Sequence, residues 1–262
     1  MADISSSAST SSKCWRPLRA SWLANVPEQA MQPRQLPDPL PTGIQVFQLA
    51  VDLAAPVAES DLALLSSEET ARAQRFHRHG DKVRFVSARA ALRRLLGARL
   101  DCRPERLRFA ANKHGKPRLD VACSADPAPY FNVSHAGDYA LIALSDSVPV
   151  GVDIERRDPN CDFAGLSRLV LSMQECELPA ARRLDFFDCW TAKEAVLKAL
   201  GLGVSEHLQR LSVLAPDPGE GSRYALRRVD LQGPCVDVLR LGAPSGYAAA
   251  LAWQPDAKGG LR

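Results

Sequence analysis

The first part of the chain carries strand-like and helix-like hydrophobic patterns in turn. Residues 44–53 alternate loosely and are rich in β-forming side chains, which predicts a strand. Helical periodicity follows over 61–76 and 82–100. Turn residues then separate four short predicted strands, which cover 107–110, 130–133, 139–145 and 150–155.

The last part of the chain changes to a helical pattern and then to strands. The clearest helix is predicted over 185–200, with Gly201 and Gly203 as its C-terminal caps. Residues 208–253 predict several strands in a meander. This order of elements predicts an α+β fold made of two halves that meet near Pro149.

Residues 1–41 combine a Ser/Thr cluster with six prolines, a composition that discourages regular structure. We expect a flexible tail there, then one half over 42–149 and another over 150–262. The tail lacks the charged start and compact apolar stretch of a secretory signal, although a Ser-rich organelle transit peptide is an alternative. We find no run of residues apolar enough to cross a bilayer, so we expect a cytoplasmic protein without a membrane partner.

Composition is that of an ordinary globular protein, with 46% hydrophobic and 24% charged residues in a chain of 262. A chain of this length can bury a core without disulfides. The seven cysteines are an odd number and form no CxxC or CxxxC pair, so neither a zinc site nor a disulfide framework is expected. We expect most of them to be small apolar fillers.

Net charge is only +3, but cations are concentrated between Arg72 and Arg94, where eight of them face the single acid Asp81. Four of these have the spacing that would place them on one face of a helix: Arg78, Lys82, Arg89 and Arg93. This face is either ordinary solvated surface or a surface for an anionic ligand or partner.

Two acids lie on the predicted strand 150–155. A period of two places Asp153 and Glu155 on the same side of that strand. Neighbouring carboxylates repel each other unless water, a basic group or a divalent cation lies between them, and oxygen ligands favour magnesium. The alternative is a solvent-facing strand edge that carries charge against aggregation.

A second pair lies in the predicted helix 185–200, within the run from Trp190 to Lys198. Glu194 and Lys198 are four residues apart and project from one helix face. One interpretation is a routine surface ion pair. In the functional interpretation, Glu194 is a third magnesium ligand and Lys198 faces a phosphate.

Polar side chains also end the predicted strand 130–133. Ser134 and His135 follow it directly, in the same half as the arginine-rich helix, and could bind a phosphate ester. A structural histidine is the alternative. Upstream, Lys116 lies in a Gly-Lys-Pro turn signal that is uninformative by itself.

Together these elements resemble the surfactin-type 4′-phosphopantetheinyl transferases. Their signature pairs a G-[VI]-D-x-E strand with a W-x-x-K-E-x-x-x-K helix, which correspond here to Gly151–Glu155 and Trp190–Lys198. The FNVSH and GKP segments lie upstream in the same order. The resemblance covers about residues 44–253.

The resemblance implies two similar α+β halves related by a pseudo-twofold, each with a small antiparallel sheet and a long helix, and coenzyme A between them. It implies that magnesium would be held against the pyrophosphate by Asp153, Glu155 and Glu194. Lys198 would contact the phosphate nearer the leaving group. The ribose phosphate and the nucleotide would be bound by Ser134, His135, Lys116 and Arg72.

The implied reaction is attack by a serine of an apo acyl or peptidyl carrier protein on the β-phosphate of coenzyme A, with release of 3′,5′-ADP. Either Glu155 or Glu194 would take the serine proton, directly or through water, while Lys198 assists the leaving group. The carrier is expected to be acidic, which would suit the basic helix face. A monomer without a nucleic-acid partner is expected.

Three questions stay open on the sequence alone. Where well-known members carry a Lys-Thr-Glu type turn, this chain has Ser172-Met173-Gln174-Glu175, and either Glu175 or Glu177 corresponds to the family's acid. The carrier and its pathway are not specified. Rival functions are a non-catalytic relative that binds coenzyme A or a carrier protein, and a magnesium-dependent hydrolase of nucleotide diphosphates.

Overall fold

The structure is a computed structural model, and it describes residues 33–36, 40–120, 128–179, 183–204, 206–215, 222–228 and 231–255. Its α-helices are α1 Glu59–Leu62, α2 Ser67–Gln74, α3 His79–Leu100, α4 Phe163–Val170, α5 Met173–Glu177 and α6 Phe186–Leu200. The strands of the first half are β1 Arg34–Gln35, β2 Ile44–Ala50, β3 Phe109–Ala111, β4 Pro117–Leu119, β5 Tyr130–Ala136 and β6 Tyr139–Ser145. Those of the second half are β7 Val150–Arg156, β8 Leu211–Leu214, β9 Ala225–Arg228, β10 Asp237–Arg240 and β11 Tyr247–Trp253.

The N-terminal half packs the long helix α3 on an antiparallel sheet of strand order β1-β2-β6-β5. Leu92 and Leu95 of α3 meet Leu49 of β2 and Ile142 of β6 in a buried core. A separate hairpin of β3 and β4 follows α3. This hairpin matters for the site because it reaches the second half.

In the C-terminal half, α6 likewise packs on an antiparallel sheet, of strand order β10-β11-β7. Small side chains line this contact, among them Ala195 and Ala199 of α6 and Ala250 of β11. They let the helix lie close to the sheet, which brings the side chains of α6 near those of β7.

The two halves share a third buried core. Val46 and Leu141 of the first sheet pack there with Val152 and Leu251 of the second. The amide of Val152 also donates to the Asn132 Oδ1 atom of β5 over 2.8 Å. Strands β5 and β7, which carry the predicted site residues, therefore lie side by side.

The α+β architecture predicted from the sequence is confirmed, with an antiparallel sheet and a long helix in each half. The helix predicted over 61–76 is wrong as one element, because α1 ends at Leu62 and Ser66 starts α2 with a capping box. Gly201 caps α6 with φ 70°, but Gly203 has no positive φ, so the second predicted cap is wrong.

Part of the predicted tail lies within the described residues. Strand β1 pairs with β2, and the amide of Leu36 donates to the Val46 carbonyl. Among the described cysteines, Cys189 is a buried filler as expected, whereas Cys176 and Cys235 are exposed. No described helix has the length and apolar character needed to cross a membrane.

Candidate active site

Three carboxylates converge where β7 meets α6. Asp153 and Glu155 lie on one side of β7, as the period of two requires, and Glu194 comes from α6. One oxygen from each of the three lies within 4.8 Å of the other two. Backbone geometry alone thus brings together three acids that are 41 residues apart in sequence at their extremes.

Gly151 explains how α6 comes so close to β7. A Cβ atom at this position would lie 2.1 Å from the Ala195 carbonyl oxygen and 2.4 Å from the Ala199 amide nitrogen. Both are backbone atoms and cannot move aside as a flexible side chain would. Glycine is therefore required here for close backbone approach, and the approach sets the distance between the acids of β7 and Glu194.

The Lys198 ammonium lies among these acids. Its Nζ donates to Asp153 Oδ1 over 2.6 Å and lies 3.3 Å from Glu194 Oε2. The Ser134 hydroxyl donates to the same Asp153 oxygen over 2.6 Å. Lys198 is therefore more than the exposed partner of Glu194, because it also neutralises a buried acid on another element.

Burial and mutual repulsion disturb the titration of the cluster. Burial, with repulsion from Asp153 and Glu194, raises the pKa of Glu155 to about 8. Burial also raises the pKa of Asp153, although Lys198 opposes the shift. Burial would lower the pKa of Lys198, but attraction to Asp153 and Glu194 outweighs it and raises that pKa. Such opposed shifts are typical of functional sites.

The cluster fits a hard divalent cation. The atoms that could bind a metal are carboxylate oxygens only, which suits magnesium or calcium and not zinc. Asp153 is 1% exposed, and its buried Oδ2 atom has no hydrogen-bond partner among the described residues. A buried carboxylate oxygen without a partner is costly, and a bound cation would satisfy it.

Trp190 fixes the third acid. Its indole nitrogen donates to Glu194 Oε1 over 2.7 Å, one helical turn away. Since the other oxygen of Glu194 faces Lys198, both oxygens are oriented. The signature tryptophan therefore has a local role that the sequence pattern alone did not reveal.

A cavity of about 1230 Å³ opens in the N-terminal half between α2, α3 and the β3–β4 hairpin. The cationic side chains in its lining are Arg72, Arg75, Arg89, Arg93, Arg106 and Arg108. The acids in its lining are Glu68, Glu69, Glu105 and Asp120. Cations outnumber acids, and the volume exceeds that of an ordinary small-molecule pocket, so a large anionic ligand suits it.

Aromatic rings hold Arg89 in this cavity. Its guanidinium lies 5.0 Å from the centre of the Phe109 ring and 5.9 Å from that of Phe85. Burial is the main cause that lowers the pKa of Arg89, and Arg72 and Arg93 contribute by repulsion while Glu69 opposes them. A stacked and partly desolvated guanidinium is suited to a phosphate or a flat ring.

The basic face predicted on α3 divides into two parts. Arg93 is buried, and its guanidinium forms a 2.7 Å ion pair with Glu69 and donates to two backbone carbonyls. Arg89 pairs with the same Glu69 at 3.5 Å. Arg78 is exposed and Lys82 is half-buried. Arg89 and Arg93 are both engaged by Glu69, so a solvated or partner-binding face is wrong for these two.

The structure separates Ser134 from His135. Strand β5 continues through both, so they project to opposite sides. Ser134 contacts Asp153 and Lys198, whereas His135 lines the cavity with Arg72. Desolvation, aided by nearby cations such as Arg84, lowers the pKa of His135. Their phosphate contacts stay predictions.

Lys116 reaches the junction of the halves. Its Nζ donates to the carbonyls of Val150 over 2.9 Å and Lys198 over 2.6 Å. Burial lowers its pKa to about 8, and repulsion from the Lys198 ammonium adds to the shift. Its role as a nucleotide ligand stays a prediction.

Glu175 has a structural role. Its carboxylate pairs with the fully buried Lys193 and accepts from the Ser172 and Val213 amides. Lys193 also donates to the Val170 carbonyl over 2.6 Å. Glu175 therefore has no free oxygen for a ligand, while Glu177 is exposed at the end of α5.

We expect Lys193→Met to destabilise the fold by ~3–5 kcal/mol, because it leaves the buried Glu175 carboxylate without its cation. Urea unfolding of the variant and the wild type measures the loss. The double variant with Glu175→Gln is the matched control and should recover a large part of it. A single-variant loss below about 1 kcal/mol, the size typical of exposed pairs, would contradict this assignment.

Several site residues were missed by sequence reasoning. Glu69 and Phe109 gave no signal, because their roles depend on partners from other elements. Asn132 lay inside the FNVSH segment but was given no role of its own. Trp190 lay inside the quoted signature and could have been assigned, since its spacing of four from Glu194 places both on one helix face.

The comparisons with known proteins agree with this geometry. Residues 149–252 match the family model of the 4′-phosphopantetheinyl transferase superfamily, and residues 57–147 match the model of the N-terminal part of 4′-phosphopantetheinyl transferases. A Synechocystis sp. protein, provisionally named 4′-phosphopantetheinyl transferase slr0495, is 38% identical over 205 residues, which cover 73% of this chain and 80% of that protein.

Two further relatives extend the likeness over most of the chain. The 4′-phosphopantetheinyl transferase HetI of Nostoc sp. is 29% identical over 248 residues, covering 91% of this chain and 98% of HetI. The 4′-phosphopantetheinyl transferase Sfp of Bacillus subtilis is 27% identical over 204 residues, covering 76% of this chain and 86% of Sfp. This chain therefore belongs to the 4′-phosphopantetheinyl transferase superfamily.

Proposed function

We propose that this chain transfers the 4′-phosphopantetheine group of coenzyme A to a serine hydroxyl of an apo acyl or peptidyl carrier protein and releases 3′,5′-ADP. The observation that carries the proposal is the cluster of Asp153, Glu155 and Glu194 with Lys198 beside a cation-rich cavity. The cluster suits a pyrophosphate with its metal, and the cavity suits the nucleotide.

In this mechanism the serine oxygen bonds to the β-phosphorus and the bond from that phosphorus to the bridging oxygen breaks. Asp153, Glu155 and Glu194 would hold Mg²⁺, which, when bound, offsets the charge on the pyrophosphate. Lys198 neutralises the phosphate that departs with 3′,5′-ADP. Its ammonium lies within 3.3 Å of two of the acids, at the place where we propose that the pyrophosphate binds.

A carboxylate must take the serine proton, since a hydroxyl is a poor nucleophile at neutral pH. Both oxygens of Glu194 are engaged, one by Trp190 and one by Lys198. This engagement of Glu194 leaves Glu155, in its ionised form, as the base that we propose, acting directly or through water.

Incubation of the protein with coenzyme A, Mg²⁺ and a panel of apo carrier proteins tests the function. A carrier that gains the mass of one phosphopantetheine group, with one 3′,5′-ADP released, supports transfer. Coenzyme A cleaved without a change in any carrier would indicate a hydrolase. Binding of coenzyme A or a carrier without turnover would indicate a non-catalytic relative.

If Glu155 binds the metal, a rising pH should lower the stability of the metal-free protein, and Mg²⁺ should raise stability most at high pH. The pKa of Glu155 rises from 4.5 to about 8 on folding, so between these values the folded state binds more protons than the unfolded state. Stability without metal should therefore fall as the pH rises through this window. Because Mg²⁺ favours the ionised acids, the rise in Tm that it produces should be larger at pH 8 than at pH 6.

Melting curves with and without Mg²⁺ across this range measure both effects. Glu155→Gln is the matched control, since it keeps the shape of the side chain and should flatten the metal-free slope. An equal rise in Tm at every pH, in the wild type and in the variant alike, would remove Glu155 from the metal site.

The N-terminal end of the basic helix suggests where an acidic carrier docks. Arg78 and Lys82 lie at the start of α3, whereas Arg89 and Arg93 are engaged inside the cavity wall. We expect the double charge reversal Arg78→Glu with Lys82→Glu to raise the KM for the carrier and leave the KM for coenzyme A nearly unchanged. For the wild type, the carrier KM should rise with salt. A carrier KM that is insensitive to both would make this end ordinary solvated surface.

We propose a cytoplasmic monomer that acts on neither nucleic acid nor membrane, with halves over 42–149 and 150–262.

A further inference from the structure

The turn of the β3–β4 hairpin lies against the C-terminal end of α6, across the boundary between the halves. The Lys116 ammonium donates to the Lys198 carbonyl of α6 over 2.6 Å and to the Val150 carbonyl of β7 over 2.9 Å. Asn112, at the other side of the turn, donates through Nδ2 to the Gly201 carbonyl over 3.2 Å. One turn thus holds two helix-end carbonyls and the start of a strand.

Hydrogen bonds within the turn order its backbone. The Asn112 Oδ1 atom accepts from the amides of His114 and Lys116, each over 2.9 Å. The Asn112 carbonyl accepts from the Gly115 amide over 2.9 Å, and Gly115 adopts φ 82°, a conformation that favours glycine. The same asparagine therefore orders the turn with its oxygen and binds α6 with its nitrogen.

The end of α6 needs such partners. The last carbonyls of a helix lack intrahelical donors and carry a partial negative charge, so an ammonium there is favourable. The Ala199 carbonyl accepts from Gln254 Nε2 over 2.9 Å. The Lys198 carbonyl accepts from the Gly201 amide over 3.1 Å as well as from Lys116, and the Gly201 carbonyl accepts from Asn112. The hairpin thus completes the cap of the helix that carries two signature residues.

The backbone carbonyls that Lys116 binds belong to the two elements that carry the site residues. Lys198 is bound by its backbone carbonyl to Lys116, while its ammonium lies on Asp153. Val150 lies three residues before Asp153 on β7. The strand that carries the acids and the helix end that carries the cation are therefore fixed to each other through one ammonium.

The same hairpin also faces the cavity. Phe109, Gly115 and Pro117 line it, and the Phe109 ring packs over Arg89. The hairpin is therefore a physical connection between the wall of the nucleotide cavity and the carboxylate cluster.

We propose that Lys116 and Asn112 are positioning residues that hold the Lys198 end of α6 and the start of β7 in register for transfer, and that Lys116 is not a ligand of the nucleotide. The inference rests on the proposed function. A nucleotide ligand and a positioning residue differ in the constant that they change, because only the ligand contributes to binding of 3′,5′-ADP itself.

Lys116→Met keeps most of the aliphatic stem and removes the ammonium. We expect kcat to fall about tenfold to a hundredfold, the size of effect that a small misplacement of reacting groups produces. The Kd for 3′,5′-ADP, measured by calorimetry, should change less than about twofold, the level at which no charged contact has been lost. Lys113→Met, an exposed lysine on the same turn, is the matched control and should match the wild type.

Asn112→Asp provides a second variant that isolates the bond to Gly201. It keeps the oxygen that orders the turn but replaces the donor to the Gly201 carbonyl with a negative charge. We expect it to lower kcat in the same direction as Lys116→Met. Combined, the two changes should be less than additive, since both act on one helix end.

Hydrogen exchange of residues 199–203 without substrates measures the anchoring independently of catalysis. We expect faster exchange in both variants and wild-type exchange in Lys113→Met. If the wild type modifies no carrier but hydrogen exchange of residues 199–203 is still faster in both variants, the proposed function is wrong. The role of Lys116 and Asn112 in holding the end of α6 is then still supported. A Kd for 3′,5′-ADP raised tenfold or more at an unchanged kcat, or unchanged exchange and kcat in both variants, would overturn the positioning role.

Discussion

Asp153→Asn is expected to lower kcat/KM for transfer by at least about a thousandfold, or ~4 kcal/mol of transition-state stabilisation. Asp153 is the most deeply buried acid of the cluster, and its Oδ2 atom is unpartnered among the described residues. An amide keeps the shape and can still accept the bond from Ser134, but it removes the charge that a cation requires. Steady-state kinetics at saturating Mg²⁺ measures the loss.

The fold of this variant should survive. Removing the charge of Asp153 relieves its repulsion with Glu155 and Glu194, and Lys198 keeps Glu194 as a partner. Thermal melting without Mg²⁺ should therefore show little change, whereas the rise in Tm on adding Mg²⁺ should be lost. Glu177→Gln, an exposed acid outside the cluster, is the control and should transfer at the wild-type rate. Undiminished turnover of Asp153→Asn would remove this residue from the site.

Local periodicity predicted two pairs of residues in the candidate site, and the family resemblance implied that the pairs meet. A strand period of two placed Asp153 and Glu155 on one side, and a helical spacing of four placed Glu194 beside Lys198. Both statements depend only on backbone geometry within one element. The structure agrees, because each of these residues lies on the predicted element.

Contacts between distant elements were not predictable in this way. Arg93 was placed on a basic face, but its burial depends on Glu69, which lies 24 residues away on another helix. The family resemblance implied that Lys116 contacts the nucleotide, and the two acceptors that Lys116 has in the structure lie 34 and 82 residues further along the chain. A periodic pattern contains no information on which partner a long side chain finds after folding.

Two predicted element boundaries were wrong for a more local reason. Apolar spacing over 61–76 continued through Ser66, so one helix was predicted, yet Ser66 and Glu69 form the capping box that begins α2. On β5 the strand runs two residues beyond Ser134, to Ala136. That extension places Ser134 and His135 on opposite sides and assigns them to different parts of the site.

Lys198 offers a sharper test than the acids, because its two roles respond differently to magnesium. Lys198→Met should destabilise the metal-free protein, since Asp153 loses its ion pair in a buried setting. Mg²⁺ supplies positive charge to the same oxygens, so we expect the metal to restore the melting temperature. The metal cannot replace an ammonium directed at the departing phosphate, and the rate should stay about a hundredfold or more below the wild type.

Melting curves and transfer rates measured over one Mg²⁺ titration separate these roles. Lys113→Met removes a lysine outside the site and should change neither quantity. Lys198→Arg keeps the positive charge and should recover part of the rate if the cation acts on phosphate. An exposed helix pair is worth only a few tenths of a kcal/mol, so the predicted loss cannot come from the contact with Glu194 alone. Full recovery of the rate of Lys198→Met at saturating Mg²⁺ would mean that Lys198 only neutralises the acids before the metal binds.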